Sequence, residues 1–234
     1  MKFSFVQQLS VCCFLLDFHY SKAQSIEHNG WLFWSHEQKI SERWQFSYDM
    51  QLRSADRFDY ANTLLIRPGI GYKIRENQTV TLGYTYFGTW EKENDKLEYE
   101  PENRIFEQFE IRNKLKNVQI TNRLRFEQRF MHMQQEKIFA QRLRYYIQAL
   151  IPVLANPDFT NGMYVCIQNE LFLNVQGNKQ SGRQIFDQNR PYAGTGYRFN
   201  EKLDLEAGFM LRYIIQEDKN VRNNIFQLSI KSSF

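Results

Sequence analysis

The run Arg43-Trp44-Gln45-Phe46-Ser47-Tyr48-Asp49-Met50-Gln51-Leu52-Arg53 decides the fold. Its apolar residues, Trp44, Phe46, Tyr48, Met50 and Leu52, take every second position, and polar or charged residues fill the positions between. Side chains alternate across a strand with period two, whereas a helix gathers apolar residues at intervals of three and four. The run is therefore a strand with one apolar and one charged face. It is longer than the ~5–6 residues usual for strands of soluble proteins.

The same alternation recurs along the chain. Leu64, Ile66, Pro68, Ile70, Tyr72 and Ile74 face away from Thr63, Leu65, Arg67, Gly69, Gly71 and Lys73. Leu203, Leu205, Ala207, Phe209, Leu211, Tyr213 and Ile215 oppose Asp204, Glu206, Gly208, Met210 and Arg212. The period predicts strands over 28–38, 43–54, 61–74, 79–92, 103–116, 118–133, 139–153, 162–175, 186–199, 203–217 and 223–234. Most reach the ~9–11 residues with which a tilted strand crosses a bilayer. Short connections with turn residues, such as Arg75-Glu76-Asn77 and Lys116-Asn117, alternate with longer polar ones at 54–60, 92–103, 133–138, 176–186 and 217–223. Outer-membrane barrels show that alternation, with short periplasmic turns and long outer loops. Both chain ends are expected on the periplasmic side. Eleven segments sit badly with the even strand numbers usual in such barrels. Either the first, with Trp31, Phe33 and Trp34, has a further partner, giving twelve, or it lies against or inside the wall, leaving ten.

Lys2, the mostly apolar stretch Phe3–Leu16 and the small residues of Ser21-Lys22-Ala23 predict a secretory signal peptide over 1–23, cut before Gln24. A core helix and a lipoprotein acylated at Cys12 compete with this, although Val11 stands where the latter needs a small residue. Loss of 1–23 removes Lys2, Lys22 and Asp17 and lowers the formal charge from +4 to +3. So slight a balance argues against a nucleic-acid partner. Cys12 and Cys13 leave as well, so Cys166 alone remains, which excludes a disulfide framework and a cysteine zinc site. No stretch beyond the N-terminus approaches the ~18 apolar residues of a membrane helix. An aromatic share of 16% excludes disorder, collagen and coiled coil.

The apolar face is expected to meet lipid, with Trp44, Tyr48, Tyr72, Tyr84, Trp90, Tyr145 and Tyr213 as interfacial girdles. A soluble sandwich core is the competing reading for these aromatics. The other face is expected to form a charged lumen network from Arg53, Arg67, Arg112, Arg123, Arg125, Glu127, Arg129, Arg142, Arg144, Glu170, Arg190, Glu206 and Arg212. Asp49, Glu110 and Asp204 share that face, and mixed signs predict ion pairs between neighbouring strands. Arg190 in particular is expected to pair with an acid of a neighbouring strand. Structural bracing and a selective pore for small anionic or sugar-like solutes are both open.

Catalytic chemistry is scarce. The chain has no G-x-S-x-G, no H-E-x-x-H and no phosphate-binding glycine loop. A barrel enzyme acting on lipid would need an outward histidine and serine near the outer rim. His132 is the only histidine so placed, and its strand offers no paired serine. Glu127 and Glu170 are candidates for an acid–base pair, but neighbouring arginines favour ion pairing.

Several stretches resemble the bacterial family catalogued as domain of unknown function 2490. They are Trp31-Leu32-Phe33, Trp44 through Gln51-Leu52-Arg53, Arg67-Pro68-Gly69-Ile70-Gly71-Tyr72, Asn122 through Arg129, and Arg142-Leu143-Arg144-Tyr145. The most specific is Phe186-Asp187-Gln188-Asn189-Arg190, continuing to Gly194-Thr195-Gly196-Tyr197. The resemblance implies a signal-bearing outer-membrane-type barrel and no particular activity.

The expected protein is thus an all-β, antiparallel up-and-down transmembrane β-barrel of 10–12 strands over 24–234, in the bacterial outer membrane. Its expected role is a structural barrel or narrow channel, not an enzyme, with no cofactor or metal. The alternatives are a barrel enzyme acting on lipid and a soluble secreted β-sandwich binding module. Expected partners are outer-membrane lipid, a small solute and the outer-membrane assembly machinery, for which Phe234, ending an alternating strand, is the expected assembly signal.

Overall fold

The computed structural model describes residues 24–93, 96–133, 136–177, 183–216 and 220–234, so the expected signal peptide lies outside the described residues. The chain forms β1 (Gln24–Lys39), β2 (Trp44–Ser54), β3 (Ala61–Arg75), β4 (Gln78–Glu93), β5 (Lys96–Leu115) and β6 (Val118–Met133). It continues through β7 (Glu136–Ala155), β8 (Gly162–Gln176), β9 (Arg183–Asn189), β10 (Tyr192–Asn200), β11 (Leu203–Gln216) and β12 (Asn220–Ser233). All of these strands belong to one sheet that closes on itself.

β9 and β10 occupy a single position in the wall, since both pair with β8 on one side and β11 on the other. Pro191 splits them because it has no N–H to donate to a ladder. The break is stitched over. Arg190 N donates to Glu170 O at 2.9 Å, and Leu211 N donates to Pro191 O at 2.9 Å. The barrel therefore has eleven strand positions, neither ten nor twelve.

The first strand is neither plug nor half of a missed hairpin. β1 pairs antiparallel with β2 and parallel with β12, in unbroken register from Gln24↔Asn220 to Glu37↔Ser233. An odd number of up-and-down strands forces the first and last to run the same way, so the closing pair must be parallel. All other neighbouring pairs are antiparallel. Residue 24 consequently lies at the opposite end of the barrel from Phe234, contrary to the expectation that both ends share a side.

We call the end with turns 40–43, 76–77, 116–117, 156–161 and 201–202 the lower rim, and the other end the upper rim. Two expected loops at the upper rim are mostly strand. Residue pairing runs on to Glu93↔Lys96 and to Met133↔Glu136, so β4–β5 and β6–β7 are long hairpins. Dense charge at Glu98, Glu100 and Glu102 hid the alternation of Leu97, Tyr99 and Pro101. The connection 55–60 holds a 3-10 turn over Asp56–Phe58. There the backbone N–H of His28 donates to Asp56 Oδ1 at 2.7 Å and holds its carboxyl below the usual carboxylate range.

The faces sort as the alternation predicts. Large apolar residues stand exposed on the outer wall around the circumference, among them Leu52, Ile70, Leu82, Ile105, Leu124, Leu173, Leu205, Phe209 and Leu228. The buried side chains are largely inward and polar, Arg67, Arg104, Arg125, Glu127, Arg129, Arg142 and Arg144 among them. Some aromatics flank the rims, as Trp44–Tyr72 below (5.0 Å between centroids) and Trp90–Tyr99 above (5.1 Å). Tyr84 and Tyr145, expected in girdles, sit mid-strand instead, where their hydroxyls donate to Asn103 and Asn122. The outer wall also carries a polar pair, Gln128 Nε2 donating to Glu107 Oε2 at 3.1 Å.

Two inward glycines make room for rings. A Cβ on Gly83 would lie 2.2 Å from the Phe106 ring, and one on Gly196 2.4 Å from Tyr164. Each ring belongs to the residue paired across the ladder and lies over its glycine. Phe159, from the lower turn 156–161, folds inward and is 1% exposed. With Tyr164, Cys166, Tyr192, Met210, Ile225, Leu150 and Trp31 it forms an apolar cluster inside one side of the barrel.

Candidate functional site: the charged interior

Inward positions two apart on a strand, and directly opposed positions on the next, bring charges within reach of each other. On β5, Glu102 accepts two hydrogen bonds from Arg104, at 2.7 and 2.9 Å. Arg129 on β6 donates to the same two oxygens at 2.6 and 3.0 Å. Glu127, completely buried, receives Arg142 at 2.7 Å and Arg144 at 2.5 Å. Arg142 also reaches Asp187 at 3.3 Å, and Arg144 reaches Glu170 at 2.7 Å. Glu170 takes Arg123 at 3.0 Å. A continuous chain of charge thus runs Asp187–Arg142–Glu127–Arg144–Glu170–Arg123 across β9, β7, β6 and β8. Bidentate forks of this kind hold both position and angle.

Smaller groups complete the set. Arg67 grips Asp49 at 2.7 and 2.9 Å. Arg198 grips Asp204 at 2.9 Å twice and covers the Phe159 ring at 4.1 Å. Glu206 accepts from Lys231 at 2.6 Å and from the Tyr192 hydroxyl at 2.9 Å. Arg112, half exposed at the lower rim, bridges Glu110 and Glu37.

Three arginines differ. Arg125 donates to Gln108, Arg53 to Gln51 and Arg190 to Gln188, with no carboxylate among the described residues within ion-pair distance. This corrects the expected pairing of Arg190 with an acid. Its fork is held by the amide oxygen two residues back in sequence, and its face lies over Phe172 at 4.3 Å. Arg212 donates to Asn223 Oδ1 at 3.0 Å.

Every residue of the expected network therefore faces the interior, and most of them join in the ion pairs just described. Sequence reasoning missed Glu102, Arg104, Asp187, Arg198, Glu37 and Lys231 as partners. Arg104 was findable, since it shares the parity of Glu110 and Arg112 on one strand. Asp187 was not. A register shift between β8 and β9 turns Asp187 inward beside Gln188, so alternation places it on the wrong face.

The interior holds two cavities of about 340 Å³ each. The upper reaches Asn62, Thr89 and Glu91, and the lower reaches Glu37, Lys202 and Ser233. Phe33, Asp49, Arg67, Arg123, Tyr146, Gln148 and Lys231 line both, so these residues form the waist between them.

No group of three or more metal-ligating side chains occurs among the described residues. His132 is exposed on the outer wall near the upper rim. A histidine–serine contact occurs elsewhere. His36 Nδ1 lies 2.9 Å from Ser232 Oγ at the lower rim, brought together by the parallel closure.

Fold and interior define a class: a closed, odd-stranded β-barrel whose polar side is inside and whose apolar side is out. The chain belongs to the protein family of unknown function DUF2490, whose family model matches residues 28–223. No curated protein and no solved structure matches it.

Proposed function

We propose that the chain is a bacterial outer-membrane barrel that forms a narrow channel braced by its interior ion pairs. The observation that carries this reading is the inverted polarity of the wall: apolar residues stand exposed outside around the circumference, and arginine–carboxylate pairs sit inside. Backbone polar groups leave a closed barrel no unpaired edge, as a bilayer requires. In this reading the two cavities and the residues they share mark the route of a small solute. Its partners in this reading are outer-membrane lipid, a small solute and the assembly machinery. It needs no cofactor or catalytic residue.

The test is fractionation with a heat-modifiability gel, followed by planar-bilayer recording. Discrete conductance steps from a heat-modifiable outer-membrane band support the channel. A heat-modifiable band without steps leaves a structural barrel, and a soluble product sinks the membrane reading. N-terminal sequencing of the membrane band should begin at or near Gln24. Phe234 is proposed as the assembly signal. Its backbone N–H donates to Glu37 O at 2.9 Å, so it finishes the closing seam. Its deletion should lower the outer-membrane yield.

A second reading, a barrel enzyme acting on lipid, has one observation behind it, the His36–Ser232 contact on the wall. Hydrolysis of a phospholipid ester by the purified barrel, lost in Ser232→Ala, would favour it.

A further inference from the structure

The upper cavity contains one buried and one part-buried cation, neither with a carboxylate among the described residues within ion-pair distance. Arg53 and Arg190 both line it. Gln51 Oε1 accepts from Arg53 Nε at 3.2 Å and from Nη2 at 2.6 Å. Gln188 Oε1 accepts from Arg190 Nε at 3.1 Å and from Nη2 at 2.6 Å. The two sites are built alike: a glutamine two residues before the arginine, holding the back of the fork. The remaining Nη1 group of each has no acceptor among the described residues.

Both guanidinium groups lie close to one ring. Arg53 Cζ is 3.8 Å from the centroid of Trp31, and Arg190 Cζ is 5.6 Å from it. The two carbons are therefore no further apart than the sum, about 9.4 Å. At separations inside that limit one tetrahedral oxyanion bridges two such forks through charge-assisted hydrogen bonds of about 2.7–2.9 Å. The charges that weigh most on Arg53 are Arg212, Arg104, Arg67 and Arg144, all positive, and on Arg190 those of Arg53 and Arg212 come before the one carboxylate, Glu170. Many of the buried arginines here are held by carboxylates, as Arg104 and Arg129 are, because an uncompensated buried charge is costly. A bound anion removes that cost.

We propose that Arg53 and Arg190, set about Trp31 in the upper cavity, form a binding site for a small free solute carrying a phosphate or sulfate group. The site lies inside the wall, which separates it from lipid headgroups outside. The proposal names the solute class for the channel reading and rests on that reading only for the solute's route. Binding itself requires no conduction.

The test uses the mature full-length barrel in detergent, titrated with inorganic phosphate against chloride at matched ionic strength. Tryptophan fluorescence and the thermal unfolding midpoint are both read. Wild type should show a saturable fluorescence change and a higher midpoint with phosphate. Gln51→Glu and Gln188→Glu place a carboxylate against each fork at nearly constant shape, so each should weaken phosphate binding at least tenfold. Arg53→Gln should do the same by removing the donor, which guards against misfolding of either glutamate variant. Arg57→Gln, an exposed cation of the upper connection, should bind as wild type does. Equal responses to phosphate and chloride, or wild-type binding by correctly folded Gln51→Glu and Gln188→Glu, would overturn the site. Either result would leave the conductance test untouched.

Discussion

Glu102-Asn103-Arg104 on β5 and Gln51-Leu52-Arg53 on β2 make nearly the same shape. In each, a side-chain oxygen two residues back accepts from the arginine fork. The shapes differ in one group, carboxylate against amide, and so in net charge. Glu102 serves two arginines and cancels one of their charges, whereas Gln51 cancels none. Around β5–β8 arginine mostly works as a cross-brace, because carboxylates of the same or a neighbouring strand take its fork. Arg53 on β2 and Arg190 just beyond β9 instead present a fork that only an amide oxygen takes. Residue type and wall face are shared by the two regions, and the electrostatic role is not.

Removing acids from the braced region should break the contrast most. Glu127→Gln leaves both Arg142 and Arg144 short of charge in a fully buried setting, and should cost about 3–5 kcal/mol in the urea unfolding of the refolded barrel. Glu102→Gln converts the β5 arrangement into the β2 kind and strips Arg104 and Arg129 together. It should cost about 2–4 kcal/mol, and a loss under about 1 kcal/mol would mean that water already screens the pair. Arg190→Leu, by contrast, frees an amide oxygen and uncovers the Phe172 ring, and should shift stability by about 1–2 kcal/mol. A large loss there would expose a carboxylate partner and erase the distinction between the regions. The smallest effect belongs to Glu110→Gln. Arg112 is half exposed and keeps Glu37, so a change under about 1 kcal/mol is expected from the same denaturation.

Much of this was legible in the alternation. Period two placed the arginines of β2, β3, β6, β7 and β11 on the inner wall, because each strand position has only two faces to choose between. Three things were not legible. Pairing partners depend on register across strands, so Arg190 was assigned an acid where its own Gln188 takes the fork. The break at Pro191 and the shift that turns Asp187 inward are departures from the period, and no parity argument reaches them. The eleven alternating segments match the eleven positions of the wall, and only the preference for an even number, ten or twelve, does not, because a parallel closure admits an odd one.

That closure has a consequence in time. The seam joins residues such as Glu27 and Asn223, 196 positions apart, with no hairpin to hold the two strands near each other. Every other neighbour in the wall follows its partner in sequence and can form as soon as both are present. The seam must wait for the last residues of the chain, and contacts of such separation form slowly. Until then the nascent barrel is an open ribbon with two unsatisfied edges, and the lifetime of that ribbon is set by how quickly β12 finds β1.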